Sequence, residues 1–185
     1  MNSMRKIIAV VGMPGSGKSE AVDVLVKKGF QKVYFGDVLF DYMKKHSIKM
    51  NQKNERLNRE KLRRMHGMAV MAKLSMKKVR EALKKGDVVI ESMYSMEEYL
   101  LVKNKYRDNL YVLAIFASPK MRYARLMKRP KRPLRNIKEC ELRDTTELQS
   151  LNKGGPIALA DYTIINEGTM EDLKASVEDA LKKIR

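Results

Sequence analysis

The chain has 185 residues, with 39 Lys+Arg against 22 Asp+Glu and a net charge of +17 at pH 7; that length lets one α/β domain bury about 70% of its unfolded surface without a staple. A single cysteine, Cys140, excludes an internal disulfide, and no Cys/His cluster has zinc-site spacing, so a reducing cytoplasm is the expected compartment and Cys140 reads as an ordinary thiol in a polar helix. The positive excess calls for an anionic partner, whether nucleotide phosphates, RNA or an acidic surface, and bulk charge does not choose among them.

The first apolar run, Ile7 to Val11, is too short for a signal-peptide core or a membrane span, so no membrane partner is expected. It predicts a strand, with Met4 as an alternative start before it. Directly afterwards, Gly12-Met13-Pro14-Gly15-Ser16-Gly17-Lys18-Ser19 satisfies G-x-x-x-x-G-K-[ST] in the strand-to-helix setting this motif requires. The glycines let backbone N–H groups turn around a phosphate, and the helix N-terminus adds partial positive charge. Lys18 is placed to reach the outer phosphates, and Ser19 to ligate Mg²⁺. The first helix is predicted over 18–28, ended by Gly29.

Further apolar runs bounded by turn signals predict strands at 32–35, 88–90, 110–117 and 162–165 after the first at 6–11, and the segments between them read as helices. This alternation predicts an α/β fold with a parallel sheet covered on both faces. Without a repeat or linker, the expectation is one domain over 1–185.

Asp37 follows the second strand, where it would orient or deprotonate an acceptor hydroxyl or cap the helix predicted over 37–46. A long helical stretch, 51–85, is predicted to break near Gly67, with Leu62, Met65, Met68, Ala69, Ala72 and Met76 as a core stripe. Glu91 ends the third strand, either holding Mg²⁺ through water or simply solvated. Between 120 and 135 stand eight basic residues and no acidic one, and Pro130 and Pro133 break the helix. This segment suggests a lid, about 120–150, whose Arg122, Arg125, Arg129 and Arg143 would stabilise a moving phosphoryl group or form a solvated face. A helix over 137–150 follows, Gly154, Gly155 and Pro156 lead into the last strand, and a final helix covers 170–183. His46 and His66 lack partners at catalytic spacing and read as structural or exposed.

On these residues the chain resembles an archaeal family of P-loop kinase-like proteins related to dephospho-coenzyme A kinase and, more distantly, to adenylate kinase. The resemblance is carried by 11–20, Gly36-Asp37-Val38, Ala117-Ser118-Pro119, Arg143-Asp144, Ala158-Leu159-Ala160-Asp161-Tyr162 and Ile165-Asn166-Glu167-Gly168. It implies a three-layer P-loop NTPase fold with a five-stranded parallel sheet, the first strand central and a basic lid after the fourth. It implies ATP as donor with Mg²⁺, Asp37 acting on the accepting hydroxyl, and 166–168 near the adenine. The chain departs from the pattern at Phe40 and Asp41, and again at Tyr94, where relatives place acceptor-binding arginines; Lys44, Arg56, Arg59 and Arg63 are candidate substitutes. The function expected from the residues and the resemblance is ATP-dependent phosphoryl transfer to a nucleotide or other small molecule. A nucleotide-gated RNA-binding protein and a slow ATPase are the alternatives.

Overall fold

A computed structural model describes residues 5–184, so the alternative start at Met4 lies outside the described residues. β1, Ile7–Val11, is buried along its whole length. Successive side chains of a strand point to opposite faces. Accordingly Ile7, Ala9 and Val11 enter one core cluster while Ile8 and Val10 enter another.

The other strands are β2 (Gln31–Tyr34), β3 (Val88–Glu91), β4 (Leu110–Phe116) and β5 (Tyr162–Ile165). They pair in parallel in the order β2-β3-β1-β4-β5. The first strand is therefore central, with helices on both faces, which is the three-layer P-loop arrangement expected from the sequence.

On one face, α1 (Lys18–Lys27) and α9 (Met170–Lys183) pack Val22, Leu25, Leu173 and Val177 against Ile8 and Val10. On the other, α2 (Asp37–Lys45), α3 (Gln52–His66), α4 (Val70–Lys85) and α5 (Met96–Tyr106) supply Leu39, Leu62, Val79 and Val102. The basic segment contains α6 (Pro119–Lys128) and α7 (Ile137–Leu151). Local chemistry starts many of these helices: Asn51, Ser118 and Asn136 cap α3, α6 and α7, and Ser95 and Thr169 form reciprocal capping boxes with Glu98 and Asp172.

One local expectation needs correction, and two gain detail. The core stripe does not include Met65, which is 59% exposed at the edge of the α3 face that buries Glu55, Asn58 and Leu62; Ala72 and Met76 are buried on α4, beyond the break at Gly67, whose φ is 85°. The segment leading into the last strand forms a short helix, α8, over Gly154–Ala158. Cys140 is a free thiol in the polar helix α7, as expected, but is itself fully buried, and burial pushes its pKa up.

Candidate functional site

The phosphate-loop motif falls between the end of β1 and the start of α1. Gly17 is the N-cap of α1 in a left-handed conformation (φ 95°), and a side chain there would collide with the amide of Asn166. Gly12 likewise has positive φ, and its missing side chain leaves room for the Ile115 carbonyl. The loop is held from two directions. Asn166, just after β5, donates from Nδ2 to the Ser16 carbonyl at 2.8 Å, and Arg122 donates from Nη1 to the Pro14 carbonyl at 3.1 Å.

A cleft of about 430 Å³ opens at this loop, within the range of small-molecule sites. Gly15, Gly17, Lys18 and Ser19 line it on one side, Arg125 and Arg129 on another, and Asn166 and Gly168 complete it. The structure thus brings together the loop, two of the basic-segment arginines and the segment the resemblance assigns to adenine. Lys18 Nζ donates to the Met13 carbonyl of its own loop at 2.8 Å. Ser19 Oγ donates to Glu91 Oε1 at 2.9 Å, and Lys32 Nζ stands 2.7 Å from the other carboxylate oxygen. A hydroxyl and a carboxylate in contact are oxygen donors of the kind a hard cation such as Mg²⁺ takes. The Ser16 hydroxyl, wholly buried in the loop, has no hydrogen-bond partner.

The arginines of the basic segment do not act alike. Arg125 Nη1 reaches the Asn166 carbonyl at 3.0 Å and Arg129 Nε the Arg132 carbonyl at 2.6 Å, and both side chains border the cleft. Arg122, expected at a moving phosphoryl group or on a solvated face, does neither. It is buried in a bidentate pair with Asp144 of α7 (2.9 and 2.5 Å) and also donates to the Ala117 carbonyl. Its role is to fasten α6, α7 and the phosphate loop together. Arg143 pairs with Glu147 at 3.1 Å.

Asp37 does not line the cleft and does not cap its helix. Gly36 is the N-cap of α2, no side-chain cap bond forms, and the Asp37 carboxylate lies 3.5 Å from Lys78 Nζ with nearly half its side chain exposed. His46 is exposed beside the Tyr42 ring, and His66 is exposed at the end of α3, in line with a non-catalytic reading. Of the four substitute cations, Lys44 and Arg56 are exposed, whereas Arg59 and Arg63 line a second, small cavity with Tyr34, Ser92 and Tyr94.

Sequence reasoning missed Lys153. It sits in the turn between α7 and α8, is 3% exposed, pairs with Glu147, and holds its Nζ 4.4 Å from the centre of the Tyr94 ring. Burial lowers the Lys153 pKa despite Glu147. Burial brings Lys18 down to about 7, with the Lys153 charge adding to the fall and Glu147 opposing it. Nothing in a Lys-Gly-Gly-Pro turn signals this position. The loop after α6 is itself tied across the molecule: Arg132 makes a bidentate pair with buried Glu55 of α3, at 2.8 and 2.6 Å. Among the described residues, no helix is long and apolar enough to cross a membrane.

Comparison with known proteins agrees with this architecture. A family profile described as an AAA domain matches residues 11–143. A UPF0200 protein of Sulfurisphaera tokodaii is 35% identical over 185 residues, covering 98% of this chain and 99% of the relative. A shikimate kinase from Bacteroides thetaiotaomicron superposes with a TM-score of 0.58 at 14% identity, over 96% of this chain and 98% of that one. A dephospho-CoA kinase from Campylobacter jejuni does so at 0.53 and 14%, over 98% of both chains. The chain therefore belongs to the archaeal UPF0200 family, with a P-loop domain folded like those of small-molecule kinases.

Proposed function

We propose that this chain is a cytoplasmic phosphotransferase that binds ATP with Mg²⁺ at the P-loop and passes the terminal phosphoryl group to a small acceptor. The observation that carries the reading is the convergence of Lys18, Ser19, Arg125 and Arg129 on one cleft, with Glu91 in contact with Ser19. Phosphoryl transfer leaves little covalent chemistry to the protein and demands mainly positioning and charge stabilisation. Those are the capacities of this residue set. Two of the folds it resembles are those of proteins named as kinases.

In this reading Lys18 exchanges its bond to the Met13 carbonyl for the outer phosphates, and Arg125 and Arg129, on a lid spanning about 120–150, meet charge that develops on the moving group. Ser19 and Glu91 would hold Mg²⁺, directly or through water, and the ion when bound neutralises phosphate charge. Asp37 would orient or deprotonate the acceptor hydroxyl once Lys78 releases it. The chain supplies the whole set as a single domain.

The test is ATP consumption with Mg²⁺ against nucleoside monophosphates, dephospho-coenzyme A, shikimate and structured RNA, with a no-acceptor control. Turnover that depends on one small acceptor supports the kinase. Acceptor-independent turnover rejects it in favour of an ATPase. The +17 charge motivates a second reading, nucleotide-gated RNA binding; it requires RNA affinity above that for heparin and a change in that affinity on adding ATP.

A further inference from the structure

The second cavity, between the C-terminal end of β2, helix α3 and the turn after β3, contains a buried cation with two donors left without hydrogen bonds. Arg63 is 6% exposed, and neither its Nε nor its Nη1 has a hydrogen-bond partner. Its nearest carboxylate, Glu98, stands 3.8 Å from Nη2, beyond hydrogen-bond reach. Glu98 uses only one oxygen elsewhere: its Oε2 accepts from the backbone N–H groups of Tyr94 at 2.6 Å and Ser95 at 3.3 Å, closing the cap of α5, while Oε1, which faces Arg63 Nη2, makes no hydrogen bond and leaves Nε and Nη1 of the guanidinium unmet. Leaving the donors of a buried charged group unmade is costly, so such a group in a cavity asks for an acceptor from outside the chain.

The lining defines what would fit. Arg59 stands beside Arg63, and Tyr34, Ser92 and Tyr94 add hydroxyls, with Ser92 Oγ and Tyr94 Oη 2.9 Å apart. A guanidinium presents a planar fork of N–H groups that matches the two oxygens of a carboxylate or phosphate. The cavity holds about 30 Å³. At roughly 10–15 Å³ per water-sized group, that is room for one end of a ligand and too little for a nucleotide. The position is also informative. Ser92 and Tyr94 directly follow Glu91, which contacts Ser19 of the phosphate loop, and Lys153 covers the Tyr94 ring.

We propose that Arg63, supported by Arg59, anchors an oxyanion, a carboxylate or phosphate group, carried by the phosphoryl acceptor. Naming the acceptor as the bearer rests on the phosphotransferase reading; the anion site itself does not. The two arginines of α3 would then do the work for which Phe40 and Tyr94 are unsuited.

The test is calorimetric titration of the full-length Lys18→Ala protein, in which the phosphate loop contributes least, with inorganic phosphate and separately with acetate. Arg63→Lys keeps the charge but loses the fork. Arg63→Met combined with Glu98→Gln removes both charges, so that no buried carboxylate is stranded, and thermal melts report the fold of each protein. Loss of charge-assisted hydrogen bonds is expected to weaken anion binding roughly tenfold to a hundredfold in both variants. Phosphate binding alone identifies a phosphorylated acceptor, acetate binding alone a carboxylate, and both an oxyanion of either kind. Absence of binding by the Lys18→Ala protein, or Arg63 variants that bind the anions as tightly as the Lys18→Ala protein does, overturns the proposal. ATP turnover does not enter this readout, so a failed acceptor panel would reject the kinase without touching the anion site.

Discussion

At the mouth of the P-loop most polar side chains have protein partners: Lys18 bonds its own loop, Ser19 bonds Glu91, Arg125 bonds Asn166 and Arg129 bonds Arg132. In the cavity by α3, the guanidinium of Arg63 is buried beside Glu98 with Nε and Nη1 making no hydrogen bond. The first region is preassembled and must exchange internal bonds for a ligand. The second is incomplete, and a ligand would only add bonds. The contrast separates residues that build a site from residues that await its occupant.

The largest expected effect tests whether Arg122 belongs among the builders. Arg122→Ala strands the buried Asp144 carboxylate and should cost about 3–5 kcal/mol of stability in denaturant unfolding. Adding Asp144→Ala should recover part of that loss; a stable Arg122→Ala protein would break the division. Next comes Lys18→Ala, expected to lower phosphoryl transfer on the order of 10²–10³-fold, as loss of a preorganised charge stabiliser does, with no fall in melting temperature. Full activity in that variant would remove Lys18 from the chemistry.

The pH dependence sharpens the same comparison. Lys18 is held near 7 in the free protein, and a bound phosphate favours its charged form. Below that value the lysine is already charged. Above it, binding must take up a proton, so nucleotide affinity should fall by up to about tenfold per pH unit, with proton uptake visible as a buffer-dependent binding enthalpy. The sign for folding is opposite. Because the unfolded lysine titrates near 10.5, the penalty for burying its charge is complete below pH 7 and is relieved as pH rises from 7 to 10.5. A pH-independent affinity between 6 and about 9 would contradict the assigned burial of Lys18. The smallest effect is that of Lys153→Met: with that charge gone the Lys18 pKa rises, and the fall in affinity should begin at higher pH.

How far the sequence foretold these regions depended on distance along the chain. The phosphate loop was legible because its geometry is written in consecutive residues, Gly12 to Ser19, between a strand and a helix. The five strands were legible as short apolar runs, with ends shifting by a residue or so, as at β2. Arg122 was misread because a run rich in lysine and arginine looks solvated, and its partner Asp144 lies 22 residues away on another helix. Lys153 gave no signal because a long flexible side chain in a glycine turn has no periodicity to follow. Met65 failed for a different reason: within α3 the buried face runs through Glu55, Asn58 and Leu62, and Met65, near the end of that helix, falls at its edge. Arg59 and Arg63 were named as substitutes, but only the folded chain could show that one is buried with donors unmade.

The bond from Asn166 to the Ser16 carbonyl spans 150 residues. Its consequence lies in the order in which the chain is made. β1 leaves the ribosome well before its two sheet neighbours, β3 and β4, which follow at 88–91 and 110–116, and the side chain that steadies the phosphate loop comes later still. Long-range contacts of this kind are slow to close. The phosphate loop is thus synthesised long before it is finished, and a nascent chain carries a complete P-loop sequence well before it has a rigid P-loop.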